Sequence, residues 1–275
     1  MYSIIGLGNC GCEVAKKFEQ FGNYFVKYTD TEERVSKRTL LIPEFDHPEL
    51  YEAYNPDFSS FFEDVGSELC LVIGGSGKIS ALTLKLLESV KDRKISVLYI
   101  RPDIELLSGD ALLMEKVVFN VLQEYARSGL FERVFIVSNE LMSNLIGDVP
   151  ITKYYDSINE YLSSIFNMIK VFENTKPLMT KFSKLSDISR IATFGVLDMS
   201  TGEEKLLYPF NHIKEKRLFF GIPQRELEEN GSLLKEITIQ TKTLSPDIKT
   251  EFAIYSTTYD SSFCYTVNYS SQIQD

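Results

Sequence analysis

The sequence contains no tryptophan, two histidines and four cysteines among its 275 residues. Cys10, Cys12, Cys70 and Cys264 are too few and too irregularly spaced for a disulfide framework. Cys10 and Cys12 form a C-x-C pair, but no second ligand pair or nearby histidine completes a metal site. His47 and His212 lie near no nucleophile in sequence and read as surface or core residues, so imidazole chemistry is not expected. Hydrophobic runs are short, none approaching the roughly 18 apolar residues of a membrane span. The start Met1-Tyr2-Ser3-Ile4-Ile5-Gly6 lacks the basic region of a signal peptide, and a cytoplasmic location is expected. Basic residues are in deficit, 29 against 39 acidic for a net charge of −10. That balance disfavours nucleic acid and anionic membranes as direct partners.

What is present suits a folded chain. Hydrophobic residues make up 44%, with only 15 glycines and 9 prolines, which excludes collagen-like and disordered classes. The first half alternates apolar strands with helical patterns. Strands are expected at Tyr2 to Gly6, Phe25 to Tyr28, Leu69 to Ile73, Ile95 to Ile100 and Val134 to Val137. Helical spacing links Val14, Phe18 and Phe21, then Ile79, Leu82, Leu86 and Val90, then Leu113, Val117, Val121 and Tyr125. Residues 31–65 hold three prolines and read as a long connection with one or two short helices.

Tyr155, Ile158, Leu162, Ile165, Ile169 and Phe172 step by three and four along the longest helical pattern, which Pro177 closes. Beyond it come short strand-like pieces at Ile191 to Leu197, Arg217 to Gly221, Ile237 to Gln240, Phe252 to Tyr255 and Cys264 to Tyr269. The expected class is α/β. A Rossmann-like, parallel-sheet nucleotide-binding domain spans 1–150, a long central helix 151–176, and a smaller α+β domain 177–275.

Two glycine loops follow strands. Gly6-Leu7-Gly8-Asn9-Cys10-Gly11 matches G-x-G-x-x-G between strand and helix, where backbone N–H groups and the helix dipole favour an anion. Asp30 ends the second strand about twenty residues later, where a dinucleotide site would grip ribose. The match therefore suits an NAD-type site, a phosphate loop of another kind, or a tight structural turn. The second loop, Gly74-Gly75-Ser76-Gly77-Lys78-Ile79-Ser80, lacks Walker spacing. A dinucleotide dehydrogenase has no need of it, whereas two such loops could surround one polyphosphate.

The pair of loops in this order resembles the tubulin/FtsZ superfamily, whose second loop carries the signature G-G-G-T-G-[ST]-G. Tyr28-Thr29-Asp30-Thr31 is similar to the family's N-T-D segment, and Val137-Ser138-Asn139-Glu140 to the strand end whose Asn reads guanine. Tyr155-Asp156-Ser157-Ile158-Asn159 resembles tubulin's Y-x-x-x-N, in which the ring stacks on the base and the amide bonds its edge. Independently, residues 155 and 159 lie one helical turn apart on one face. Tyr155 also fits a core aromatic of the apolar stripe, and Asn159 an ordinary exposed polar residue.

Three departures stand out. Lys78 and Ile79 replace the signature's small hydroxyl residue and glycine, and Lys78 adds a positive charge. The 31–65 connection lacks the glycine-rich loop that bacterial members place near the γ-phosphate. The family's N-x-D-x-x-[DE] loop, which supplies a carboxylate to the next subunit's nucleotide, matches Phe182-Ser183-Lys184-Leu185-Ser186-Asp187. Asp187 fits its final acid, or else a helix N-cap. Lys184 stands at the first acid and Phe182 at the Asn.

The resemblance implies a small, divergent member of phage or plasmid type. It implies GTP or GDP with Mg²⁺, phosphates held by Gly8, Asn9, Cys10, Gly11, Gly74, Gly75, Ser76 and Gly77, and the base held by Asn139, Tyr155 and Asn159. A ribose contact falls near Glu115. Self-association head to tail and slow, assembly-dependent hydrolysis through Asp187 follow. The alternatives are a non-hydrolysing pseudo-GTPase of the same fold and an NAD(P)-binding oxidoreductase using Gly6, Gly8, Gly11 and Asp30.

Overall fold

The computed structural model describes residues 1–35 and 37–275, which form two compact units, Met1–Ser163 and Ser164–Asp275. In the first, β1 (Tyr2–Leu7), α1 (Gly8–Lys17), β2 (Tyr24–Asp30) and β3 (Thr39–Leu41) precede two short helices, α2 (Pro48–Ala53) and α3 (Ser59–Phe62). There follow β4 (Glu68–Gly74), α4 (Thr83–Ser89), β5 (Lys94–Arg101), α5 (Gly109–Ser128), β6 (Arg133–Ser138) and α6 (Asn139–Ile146). A long helix, α7 (Tyr154–Glu173), runs through the division between the units.

The six strands pair in parallel in the order β6-β5-β4-β1-β2-β3. Parallel strands covered on both faces are apolar throughout, which is why Leu69–Ile73 and Val134–Val137 read as unbroken runs and are buried. The order reverses between β1 and β4. A crevice opens beyond the carboxyl ends of the strands at such a switch point, and both glycine loops leave from those two ends.

Helix α5 forms where its spacing predicts, but turned about its axis. Leu113, Val117 and Tyr125 face solvent, while Met114, Val118, Phe119, Leu122 and Ala126 are buried. Two rows of apolar residues, offset by one position and so by about 100°, compete for the core. The fully buried Glu115 decides between them: its carboxylate pairs with Arg101 Nε at 2.9 Å, and Arg101 stacks on Phe119. Strand β3 and helix α6 have no clear sequence signal, being three and eight residues long.

The second unit comprises β7 (Ile191–Leu197), β8 (Glu204–Leu206), β9 (Glu215–Pro223), α8 (Gln224–Glu229), α9 (Leu233–Leu244), β10 (Lys249–Thr257) and β11 (Phe263–Ser270). β10 and β9 are parallel; β9, β11, β7 and β8 pair antiparallel in that order. The expected strand at Ile237 to Gln240 is instead part of α9. Ile237-Thr238-Ile239 favours a strand by β-branching, but Leu233, Ile237 and Thr241 step by four and bury one helical face. Thr238 and Thr243 spend their hydroxyls on the carbonyls of Leu234 and Ile239. Ile237 then packs with Leu218, Phe220, Ile222 and Ile254. On the C-terminal half of α7, Phe172 stacks on Tyr255 with centroids 4.3 Å apart.

A charged pair is built into this second sheet. The Lys216 ammonium contacts Glu204 and donates to Ser245 Oγ at 3.0 Å, and both charged groups are buried. Asn268 Nδ2 donates to Glu204 Oε1 at 2.8 Å, and Thr266 donates to the same oxygen. Lys216→Met, which leaves the carboxylate buried and uncompensated, should cost about 3–5 kcal/mol in urea unfolding. Adding Glu204→Gln should recover most of that loss, because an amide oxygen still accepts from Asn268 and Thr266.

Candidate functional site

The first loop gains its shape from close packing. A Cβ on Gly11 would lie 2.2 Å from the Val72 carbonyl oxygen, and one on Gly6 would lie 2.6 Å from Cys12 Cα. Only glycine lets α1 rest directly against β1 and β4 here, and Gly8 also takes the left-handed φ of +68°. The N-cap residue Leu7 makes no side-chain cap bond, and no acid sits in the first turn of α1. The helix therefore presents its N–H groups and the positive end of its dipole without a resident anion.

The second loop is tied back on itself. Ser80 Oγ donates to the Gly74 carbonyl at 2.7 Å, and Ser80 N–H donates to that of Gly77 at 2.9 Å. Gly75 gives its N–H to Ile100 O at 3.2 Å, and a Cβ on it would meet Tyr99 Oη at 2.0 Å. A Cβ on Gly74 would meet that of Cys10 at 2.8 Å, so the two loops touch. Around Gly77 nothing approaches a would-be Cβ closer than 3.8 Å, which leaves that side open. Ile79, the departure from the signature, is buried with its Cγ2 against Gly8; Lys78 is exposed.

Both loops line one cleft of about 440 Å³, joined by Asn139, Tyr155 and Asn159. That volume suits a ligand of nucleotide size. Of the eleven residues expected to bind nucleotide, all but Gly11 line it. Asn139 is the first residue of α6, whose start is capped by Ser138. Tyr155 is 62% exposed, so it is not the core aromatic its stripe allowed, while Ile158 and Leu162 take the buried positions. Lys17 on α1 pairs with Asp156 at 2.5 Å, and Gln20 donates to Glu160 at 2.9 Å. Those bonds fix the α7 pair relative to the first loop. A more open hollow of about 850 Å³ beside α8 carries no glycine loop.

Asp30 does not face a ligand. Its Oδ2 receives Arg34 Nε at 2.6 Å and its Oδ1 the Thr31 N–H at 2.9 Å, with the side chain nearly buried. An acid so engaged is not free to grip ribose, which argues against the dinucleotide alternative. Arg34 also contacts Glu13 and donates to Asn9 Oδ1 at 2.7 Å. Sequence spacing carried no sign of this arginine. Glu115, expected near ribose, is buried and packs beside Gly75. Burial, with the Glu13 charge, pushes the Cys10 thiol up to about 12; burial, with Asp30, does the same for Cys12. Both are neutral thiols at physiological pH and poor metal ligands.

In the second unit, Asp187 lies in a turn before β7 with no helix after it, so it caps none. It is 74% exposed and pairs with Lys184 at 3.0 Å. The turn is anchored on both sides. Phe182 packs on Phe219 at 4.8 Å beneath the Arg217 guanidinium, and Ser186 N–H and Ser189 Oγ both donate to Glu215. Burial opposes charge at Glu215, but the Lys249 ammonium and these donors hold its carboxyl below the ordinary carboxylate range. The anchor is thus ionised at neutral pH.

No protein-family model and no curated protein sequence matches the chain. Solved structures do. CetZ2 from Haloferax volcanii, in a GTPγS-bound protofilament, superposes with a TM-score of 0.74 at 13% identity over 98% of this chain and 92% of that one. An empty FtsZ dimer from M. jannaschii gives 0.73 at 12% identity over 98% and 88%. A GTPγS-form protofilament of TubZ from Bacillus thuringiensis serovar israelensis gives 0.71 at 15% over 98% and 86%. The chain has the tubulin/FtsZ fold, as the two glycine loops led us to expect. Gly75 should tolerate no side chain: Gly75→Ala should cost about 1–3 kcal/mol by overpacking, lowering the thermal midpoint. Tyr99→Phe in the same chain, by removing the nearest atom, should restore part of it.

Proposed function

We propose that this chain binds a guanine nucleotide in the cleft at the β1–β4 switch point and assembles head to tail with further copies of itself. The observation that carries the reading is the meeting, in one cleft, of two glycine loops with two amides and an exposed aromatic ring. Phosphates would take the free N–H groups at the start of α1, from Gly8, Asn9 and Cys10, and the open side of the second loop at Ser76 and Gly77. Gly11 and Gly75 would act through shape, the one letting α1 approach the sheet, the other through an N–H already engaged. Tyr155 offers a face for stacking on a base, and Asn139 and Asn159 each offer donor and acceptor for a purine edge.

Assembly is supported by the filament-forming character of similar structures and by apolar surface. Leu106 and Ile151 are strongly exposed in the first unit, and Leu178 and Ile188 in the second. A head-to-tail contact between unlike faces extends without limit when its rotation does not close. Asp187 would then orient water at the nucleotide of a neighbouring copy. A single copy would then hold nucleotide without that carboxylate beside it, so turnover should be slow and should need assembly. No helix among the described residues is long and apolar enough to cross a membrane.

Mg²⁺ is the usual companion of a triphosphate, held by phosphate oxygens, water and one or two carboxylates. The oxygens of this chain do not fit that role. Glu13, which lines the cleft, and Asp30 beside it are both engaged by Arg34.

Titration should give tighter binding of GTP and GDP than of ATP or NADH; tighter NADH binding would end this reading. Asn159→Ala should weaken GTP by roughly 1–3 kcal/mol through an unpaired base edge. Pelleting with GTP should show a critical concentration, and phosphate release should rise more steeply than linearly with protein. Asp187→Ala should abolish that release while filaments still form. Equal turnover per chain in dilute and concentrated protein would remove the shared site.

A further inference from the structure

Arg34 sits in the segment between β2 and β3, its side chain 18% exposed, with every branch of its guanidinium engaged. Nε meets Asp30 Oδ2 at 2.6 Å, Nη1 meets Glu13 Oε1, and Nη2 meets Asn9 Oδ1 at 2.7 Å. The loop that carries it is itself held, since Arg34 N–H donates to Thr39 Oγ1 at 3.3 Å. Asn9 and Glu13 lie one turn apart on α1 and line the cleft, so the guanidinium is one hydrogen bond removed from its wall.

Two carboxylates and an amide oxygen converging on one point form the hard-oxygen donor set of a divalent cation. Here a fixed monovalent cation occupies that point. Its charge cannot be lost by deprotonation, and its planar fork matches phosphate oxygens as well as carboxylates. Without it, Glu13 and Asp30 would oppose any polyphosphate placed at the start of α1. Lys78, within the second loop, is exposed and does not line the cleft.

We propose that Arg34 stands in for the divalent cation at the phosphate end of this cleft, so that the chain binds a nucleoside triphosphate without Mg²⁺. The inference rests on the nucleotide reading of the cleft and adds to it the identity of the cation held beside the phosphates.

The test is GTP affinity, by isothermal titration, in excess magnesium and in excess EDTA. Wild-type protein should bind within about threefold in the two solutions. Arg34→Ala, which leaves Glu13 and Asp30 without their counter-charge beside the phosphates, should lose about 10- to 100-fold in EDTA and should recover part of it when magnesium is added. Arg34→Lys, which keeps the charge without the fork, should lie between them. Thermal midpoints measured without nucleotide establish that the variants fold; should Arg34→Ala fail there, Arg34→Lys and the wild-type comparison decide. A tenfold or larger loss of wild-type binding in EDTA would overturn the proposal and leave the nucleotide reading standing. So would an Arg34 variant, alanine or lysine, as tight as wild type in EDTA. Absence of GTP binding in both solutions would remove the nucleotide reading and this inference together.

Discussion

The first unit depends on how closely α1 approaches the strands it follows and crosses. Gly11 lies against the Val72 carbonyl and Gly6 against Cys12, with no room for a methyl group at either. This approach brings the start of α1 to the end of β4, so that Cys10 touches Gly74 and the two loops share a wall. Most of the glycines in the pattern are therefore explained by packing, and the proposed anion site would be its consequence. A dipole end and a row of unpaired N–H groups are left facing a cleft because nothing bulkier could sit behind them.

That arrangement would reconcile an acidic protein with the anionic ligand we propose. The formal charge is −10, yet the cleft needs no basic patch. Backbone N–H groups and the helix dipole supply positive potential at the start of α1, and Arg34 offsets one of the two acidic charges of Glu13 and Asp30 beside it. The same economy of charge appears in the second unit, where Lys216 and Glu204 are buried as a pair and Glu215 anchors a loop through Lys249 and two serines. Lys184 and Asp187, by contrast, face solvent, where an ion pair contributes little and is easily exchanged.

Phe182 makes sense of a departure that sequence comparison alone leaves odd. Where the family pattern has an amide, this chain has an aromatic ring packed on Phe219 under Arg217. The loop is held by stacking on one side of Lys184 and by a carboxylate on the other side of Asp187. Its exposed charges are presented on a fixed frame although no helix follows them.

Sequence by itself determined the parallel alternation, the two glycine loops at strand ends, and the Tyr155–Asn159 pair on one helical face. Each of these is local: a strand running into glycines, or two residues one turn apart, is dictated by backbone geometry within a few positions. Tertiary structure alone decided which apolar row of α5 is buried, because the choice rests on Arg101 reaching Glu115 from a neighbouring strand. It decided that Ile237-Thr238-Ile239 is helical, because Leu233, Ile237 and Thr241 had a sheet to pack on. It also turned Asp30 away from the cleft and brought Arg34 to Asn9 and Glu13. Those outcomes hang on partners far apart in the chain, whose meeting is fixed by the fold and leaves no periodic trace in either segment.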